Sequence, residues 1–439
     1  MTSSKLKILL LVFCFVFVTT KPESQWLKLN TSGSIEHLKN ASVIYDPSGN
    51  RLIVYGGRNA SGNPVNSMFS LNLNSNVWSQ VTQVGGPIPA PRYTHNAHYD
   101  INTNSMIVWS GQGTGSTLFN DVWKFSFATN TWSVLWEDGN VTNAPSRRYG
   151  TASIYEPVSG NISTFAGFTS AGRFDDTWTF DVISLTWQDK TVAQKPPKRC
   201  LHSAVYANDM GRMVIYAGQD DNGLRDDIWE CQLSSYSWNN ITPTLKPPAR
   251  FWNSMIYYNG GNIIIWGGLS TGARNDMWKF RMGSNLWEFI VQGAVVPPAR
   301  WGHTGIYIPE QDRMIIFGGE GDSLYKDTWT YNNVSVIGFE PISEIIPKEY
   351  SLMQNYPNPF NPVTKIRFTT PLSPPEGGKL IRLQVFDLSG KLVKTLVENN
   401  LKAGEYEVEF DGGGLSSGVY YYRLSTTGYI ETKKMVLVK

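Results

Sequence analysis

Five arginines recur at the end of proline-rich stretches: Arg92, Arg148, Arg199, Arg250 and Arg300, in PAPRY, PSRRY, PPKRC, PPARF and PPARW. Fixed cations converging on one opening would take an anionic ligand, so these five are the candidate ligand-binding residues. A second arrangement competes with that reading. The same five stretches are each followed by an aspartate, Asp121, Asp176, Asp227, Asp276 and Asp327, and a corresponding earlier stretch carries Leu38 and Ser67 instead. Partners kept together or lost together are expected of ion pairs, because an unpaired buried charge is costly. The spacing therefore favours pairing within each stretch.

Other residue types invite chemistry. His95, His202 and His303 share one repeat position, where the remaining copies have Ala41, Thr151 and Asn253. Three imidazoles suggest a metal, but each ligand must reach within ~2 Å of the ion, and residues spread round a ring do not. Neighbouring polar contacts are the expected role, and no metal or other cofactor is expected. The acidic loop Gln219 to Gly223 lacks the twelve-residue calcium pattern and reads as a solvated turn. Cys14, Cys200 and Cys231 are the only cysteines. The last two fall on strands that are not adjacent, so they read as thiols rather than a disulfide. Tyr93, Tyr149, Phe168, Phe174, Phe251, Trp252, Trp301 and Tyr325 lie near loops and are able to stack on sugar rings, with packing preferred for Trp252 and Trp301. Seven Asn-x-Ser/Thr tripeptides from Asn30 to Asn333 read as Asn-rich turns.

These residues sit in a repeat. An apolar run ending in a small pair occurs as LIVYGG, MIVWSG, ISTFAG, MVIYAG, IIIWGG and MIIFGG, with its last Gly at 57, 111, 167, 218, 268 and 319. A later aromatic follows each run: Phe69, Trp123, Trp178, Trp229, Trp278 and Trp329. A short strand with Trp78, Trp132, Trp187, Trp238 or Trp287 comes next. Nothing equivalent follows Trp329, and the missing copy stands at the other end as Trp26 in QWLKL. Each repeat thus predicts four short strands: a after the Arg, b ending in the Gly, c with the aromatic, d with the Trp. Units of this size bury their faces only by stacking. Six sheets in a ring, with the N-terminal strand completing the last one, leave no open edge at the seam. The second Gly is the position expected to need positive φ or close backbone approach.

Composition agrees. The 439 residues include 40 Gly and 24 Pro, and aromatics make up 13%, which favours strands and turns over helices. Lys+Arg is 38 against Asp+Glu 36, a net charge of +2, which excludes general nucleic-acid binders and cationic membrane-surface proteins. Residues 1–20 place Lys5 and Lys7 before an apolar run from Ile8 to Val18. That run is too short to span a bilayer, which takes ~20 residues, and reads as a secretory signal peptide with Cys14 inside it. The mature chain has no segment apolar enough to span.

The Gly-ended b run, the later Trp and the period near 50 residues, recurring six times, resemble the kelch family over about 25–337. Ser110, Ala166 and Ala217 depart from its first Gly. All 16 Trp lie at or before Trp329; beyond it come NYPNPFNPVTKIRF, LQVFDLSGKLVKTL, SSGVYYYRL and KKMVLVK. These alternating strands predict a small Ig-like β-sandwich. The string is similar to the type A C-terminal sorting domain of the type IX secretion system over 351–439. That resemblance implies a Gram-negative bacterium and export to the cell surface or medium, the tail meeting the secretion machinery.

The expectation is therefore an all-β chain: signal peptide 1–20, six-bladed kelch-like propeller 25–337, linker 338–350, sorting domain 351–439. Alternating strand direction puts the d–a and b–c loops on one face of the propeller, and the long polar b–c loops make it the working face. The function expected is binding or adhesion to an extracellular glycan or protein partner, without enzymatic activity, since no acid/base pair or metal set stands out. The alternative is an extracellular carbohydrate-active propeller enzyme. Within the family that means a sugar oxidase-like or mutarotase-like one.

Overall fold

The computed structural model describes residues 26–258, 260–332, 334, 347–371, 380–401 and 403–439. The expected signal peptide and most of the expected linker lie outside them. Two compact units result, one within Ser24–Phe339 and one within Glu340–Lys439.

Among the described residues the first unit is built on six blades in chain order, each with four antiparallel strands. Blade 1 holds Ser42–Asp46, Arg51–Tyr55, Met68–Asn72 and Val77–Gln80 as strands a to d; blade 2 begins with Asn96–Asp100, and blades 3 to 5 follow the same plan. Among the described residues blade 6 has only Thr304–Ile308, Arg313–Phe317 and Thr328–Asn332 from its own repeat. Its fourth strand is Trp26–Lys28, antiparallel to Thr328–Asn332, with Trp26 opposite Tyr331 and Lys28 opposite Trp329. The same N-terminal segment then adds Ser32–Gly33 in parallel to strand d of blade 1. One segment thus spans the seam between the last blade and the first.

Alternation drives the packing. Strand b is apolar on both faces because a neighbouring blade lies on each side, and Arg51–Tyr55, Ser105–Trp109 and Asn262–Trp266 are buried almost throughout. The strand-b residue just before the doublet is aromatic in every blade, and it meets the strand-d Trp of the next. Tyr55 packs on Trp132, Trp109 on Trp187, Phe165 on Trp238, Tyr216 on Trp287, Trp266 on Trp26 and Phe317 on Trp78, at centroid distances of 4.7–5.3 Å. Large aromatic faces in offset contact supply much of the interblade burial. Trp26 and Trp78 close the circle with the same contact.

A ring of main-chain hydrogen bonds closes it again. The residue two after each repeat's Arg (or Leu38) donates its N–H to the carbonyl of its counterpart in the preceding blade: Asn40 to Gly302, Thr94 to Asn40, Gly150 to Thr94, Leu201 to Gly150, Trp252 to Leu201 and Gly302 to Trp252, at 2.6–3.2 Å. All six residues have φ of 49–62°. That is the left-handed region, which L residues tolerate singly at some cost.

The second unit is a β-sandwich. Ser351–Leu352, Val363–Thr370 and Gly404–Asp411 form one sheet. Leu392–Asn400, Leu380–Phe386, Gly418–Thr426 and Tyr429–Leu437 form the other. Phe360, Ile366, Phe368, Val385, Tyr422 and Met435 are among its buried core. The YPNPF opening is tied in at both ends. The Asn355 N–H donates to the Tyr422 hydroxyl at 2.8 Å, and the Phe360 N–H donates to the Val436 carbonyl at 2.9 Å.

Candidate functional site

The five arginines are buried, with side chains at 0–1% exposure. Each guanidinium grips its own blade's aspartate through two parallel bonds. Arg92 reaches Asp121 at 2.6 and 2.8 Å, Arg148 reaches Asp176 at 2.7 and 2.9 Å, and Arg250 reaches Asp276 at 2.8 and 2.7 Å. Arg199–Asp227 and Arg300–Asp327 repeat the arrangement. Nη1 also donates to the carbonyl of the first doublet residue, and Nε to a carbonyl two residues back, as Arg199 does to Ala217 and Pro197. Bidentate charge-assisted bonds are the geometry that makes a buried pair tolerable. Burial pushes the Asp227, Asp276 and Asp327 carboxyls up, and the arginine bonds outweigh it, holding all three below the usual carboxylate range.

The main chain of each Arg belongs to the neighbouring blade. The Arg92 N–H donates to Val65 and its carbonyl accepts from Gly57, both of blade 1, while its side chain reaches Asp121 of blade 2. The same crossing recurs at Arg148, Arg199, Arg250 and Arg300. These residues are interblade staples. With the fork filled and no exposed surface, they offer no cationic ring to a ligand at the channel mouth, which corrects that part of the sequence reading.

Sequence reasoning missed a third member of each staple. The strand-c indole donates to the same aspartate: Trp123 to Asp121, Trp178 to Asp176, Trp229 to Asp227, Trp278 to Asp276 and Trp329 to Asp327, at 2.7–2.8 Å. The signal was present as Asp-x-Trp in five repeats against Ser67-Met68-Phe69 in the first. Blade 1 loses cation, anion and indole donor together.

The doublet holds each staple. Its second Gly has φ of 86–115° and donates to the next blade's Arg carbonyl, or in blade 6 to Leu38, at 2.8–3.0 Å. A Cβ at Gly218 would lie 2.8 Å from the Cys200 carbonyl oxygen. The first position has φ of only 59–66°, which accommodates Ser110, Ala166 and Ala217.

Profile comparison reaches the same architecture independently. The KLHDC2/KLHL20/DRC7 Kelch-repeats domain matches residues 11–193 and 190–337. The chain belongs to the kelch-repeat family. The Secretion system C-terminal sorting domain matches residues 354–439, so this kelch protein carries a tail for secretion or the cell surface of a bacterium. Its curated relatives are distant. It is 23% identical over 333 residues to the Leucine-zipper-like transcriptional regulator 1 homolog of Drosophila melanogaster, covering 72% of this chain and 33% of that protein. It is 26% identical over 241 residues to Kelch domain-containing protein 3 of Bos taurus, covering 53% and 60%. The kelch chain therefore spans only a third to three fifths of these relatives' lengths.

In this kelch propeller the three histidines do not converge. His95 lies edge-on to Tyr55 at 5.3 Å, His202 to Phe165 at 5.7 Å and His303 to Trp266 at 4.9 Å, each on the strand-b aromatic of the preceding blade. Burial pushes all three down to about 3, so they stay neutral. Among the described residues no group of three His, Cys, Asp or Glu side chains is placed to hold a metal. Cys200 and Cys231 are free and buried, and burial raises the Cys231 thiol to about 12. In the acidic loop, Asp220 pairs with Arg225 and Asp221 with Arg173.

The loop-face aromatics are largely covered. Trp301 lies between Trp252, stacked at 4.7 Å and 17°, and the Lys39 ammonium, 4.7 Å from its ring. Phe251 packs on Trp252. Arg58 lies over Tyr93, Phe168 meets Tyr149 and Arg173, and Phe174 and Tyr325 cover the guanidinium groups of Arg148 and Arg300.

The channel is a cavity of about 490 Å³ lined by the innermost strands and the main-chain ring. Its polar groups are hydroxyls, amides and imidazoles, among them Asn96, His98, Thr151, Ser153, Ser203 and Asn253. No Asp, Glu, Lys or Arg is among the described residues that line it.

Proposed function

We propose that this is an exported binding or adhesion protein whose b–c loop face meets an extracellular partner, glycan or protein, with residues 1–20 as its signal peptide. The observation that carries the reading is the anchoring of the loops. Each runs from the doublet to the c strand; in blades 1 to 5 main-chain bonds to the next blade's Arg fix it on both sides, as Gly57 and Val65 do with Arg92, and in blade 6 Gly319 bonds to Leu38. Variable polar tips on fixed anchors are the usual arrangement for recognition. Among the described residues three charges of these loops have no ion-pair partner: Arg274, whose main chain is an anchor to Arg300, Asp322 at a tip, and Lys326 beside Asp327; such charges give a partner its register. The arginine staples support the loops from beneath without touching the partner.

Catalysis on carbohydrate is the second reading, and the charge-free channel lining favours binding over it. Proton transfer at neutral pH needs groups tuned near that pH. Both His95 and His98 are pushed far below it by burial, to about 3 and about 4.

The test uses the purified full chain on an array of polysaccharides and cell-envelope proteins, with a reducing-sugar assay on every hit. Binding without product, weakened by Arg274→Ala or Lys326→Ala, is the expected result. Product release, or binding indifferent to every loop substitution, overturns the loop-face reading.

A further inference from the structure

The opposite end of the channel carries a second six-fold set. The fourth residue of every strand a is tyrosine: Tyr45, Tyr99, Tyr155, Tyr206, Tyr257 and Tyr307. They form a collar at the a–b end of the innermost strands. Five hydroxyls are taken. Tyr45 donates to Asn50 at 3.2 Å, Tyr99 to Asn104 at 3.0 Å, Tyr155 to Asp100 at 2.9 Å and Tyr307 to Asp312 at 2.9 Å, and Tyr257 donates to Asp209. Tyr206 breaks the pattern. Among the described residues its hydroxyl has no hydrogen-bond partner, while its ring packs against the buried cluster of Ile154, Met213, Ile215 and Trp238 between blades 3 and 4. It is half-buried, and with Tyr99, Tyr155 and Pro157 it lines the outer end of the 490 Å³ cavity.

We propose that this collar mouth, on the face away from the b–c loops, is a binding site for an uncharged saccharide. Three observations carry it. The cavity's volume falls in the ~300–1,000 Å³ range of small-ligand pockets. Its lining sets the outer rims of Tyr99, Tyr155 and Tyr206, whose rings pack between blades, beside neutral hydrogen-bonding groups, which suits the hydroxyls of a small sugar. Ser153, bonded to His98 at 2.7 Å, and Ser203 lie deeper along the same wall. Finally, no acidic or basic side chain lines the cavity itself, and the carboxylates bordering the collar, Asp100, Asp209, Asp312 and Glu156, already accept hydroxyl bonds and would repel a uronate or a phosphate. The free edges of the six a strands add main-chain donors and acceptors to the wall.

The site lies on the other face from the loops, so it stands or falls separately from the loop-face reading. The experiment titrates the full chain with neutral cello-, xylo- and laminari-oligosaccharides and with oligogalacturonate as the charged counterpart. The expected result is binding of a neutral oligomer, weakened at least tenfold by Tyr206→Ala and several-fold by Tyr206→Phe, with Ile183→Ser, an exposed position in neither site, unchanged. A second reading needs no variant: bound oligosaccharide should protect Tyr206 from nitration by tetranitromethane, read by peptide mass spectrometry. The proposal is overturned by any of three results: no neutral oligomer binds, only oligogalacturonate or a peptide binds, or a neutral oligomer binds while Tyr206 nitrates at the free-protein rate. Loss of binding in Lys326→Ala together with retention in Tyr206→Ala would move the sugar to the loop face.

Discussion

Trp26 and Trp266 pack at 5.3 Å and share one acceptor: both indole nitrogens donate to Gln292 Oε1, at 2.5 and 3.1 Å. The N-terminal strand is thereby seated in the groove between blades 5 and 6, with the contact that five other tryptophans make from within their own repeats. Trp26→Ala should cost about 3–5 kcal/mol, the usual range for a buried Trp. Removing residues through Asn30 should cost more, since the pairing with Thr328–Asn332 goes too. Denaturant unfolding of the full chain checks both; an unchanged midpoint would mean that the seam is held elsewhere.

The staples give a sharper test because blade 1 is a natural control. Arg250→Leu alone strands the Asp276 carboxylate in a buried site and should cost about 3–5 kcal/mol. Adding Asp276→Ser and Trp278→Phe recreates the blade 1 set of Leu38, Ser67 and Phe69. The triple variant should then be more stable than the single one. If the three losses simply added, the pairing account of their joint absence from blade 1 would be wrong.

Adjacent positions in blade 4 should behave oppositely. Gly218→Ala places a Cβ 2.8 Å from the Cys200 carbonyl oxygen and the His202 Cβ at φ 92°, and should cost about 1–3 kcal/mol as backbone strain. Ala217→Gly, at φ 64°, should change stability by less than about 1 kcal/mol. Melting temperatures of the two variants decide it, and a reversed order would undo the distinction drawn between the doublet positions.

Acid should loosen the ring through its histidines. Burial holds His95, His202 and His303 at about 3, below the 6.5 of an unfolded histidine. Between those values the unfolded chain binds more protons, so stability is full above pH 6.5 and declines as the pH falls towards 3. Asp227, Asp276 and Asp327 are held below 3.8, so their contribution is lost only at the acid end of that range. His202→Gln should therefore flatten the melting profile between pH 6.5 and pH 4 relative to the parent. Parallel profiles would count against the histidines as its source.

Most of the architecture was legible in the sequence because repetition multiplies weak signals. One Gly-ended apolar run says little, but six at matched spacing fix blade number, strand b and the doublet. Trp26 was found by counting, since five d-strand tryptophans served six b strands. The arginines were harder. Their pairing showed only through the joint absence at Leu38 and Ser67, and their main-chain role left no trace in residue type, because N–H and C=O groups are the same in every residue. Tyrosine recurs as the fourth residue of each strand a, but the difference at Tyr206 leaves no mark in residue type. Whether a hydroxyl is occupied depends on side chains brought in from elsewhere, as Asp100 is for Tyr155 and Asp209 for Tyr257.

Trp26 is among the first residues of the propeller to be synthesised, and its partners Trp266, Tyr331 and Trp329 are among the last. A chain emerging from its N-terminus, from a ribosome or through a pore, holds this strand unpaired until nearly every blade has arrived. Blades 1 to 5 gain their own strands in order, whereas the sixth waits for a residue made at the start. Closure of the ring therefore cannot precede synthesis of Thr328–Asn332. The N-terminal strand works as a lock that is cut first and turned last, so a truncated product lacking Trp329 would have no completed ring to export.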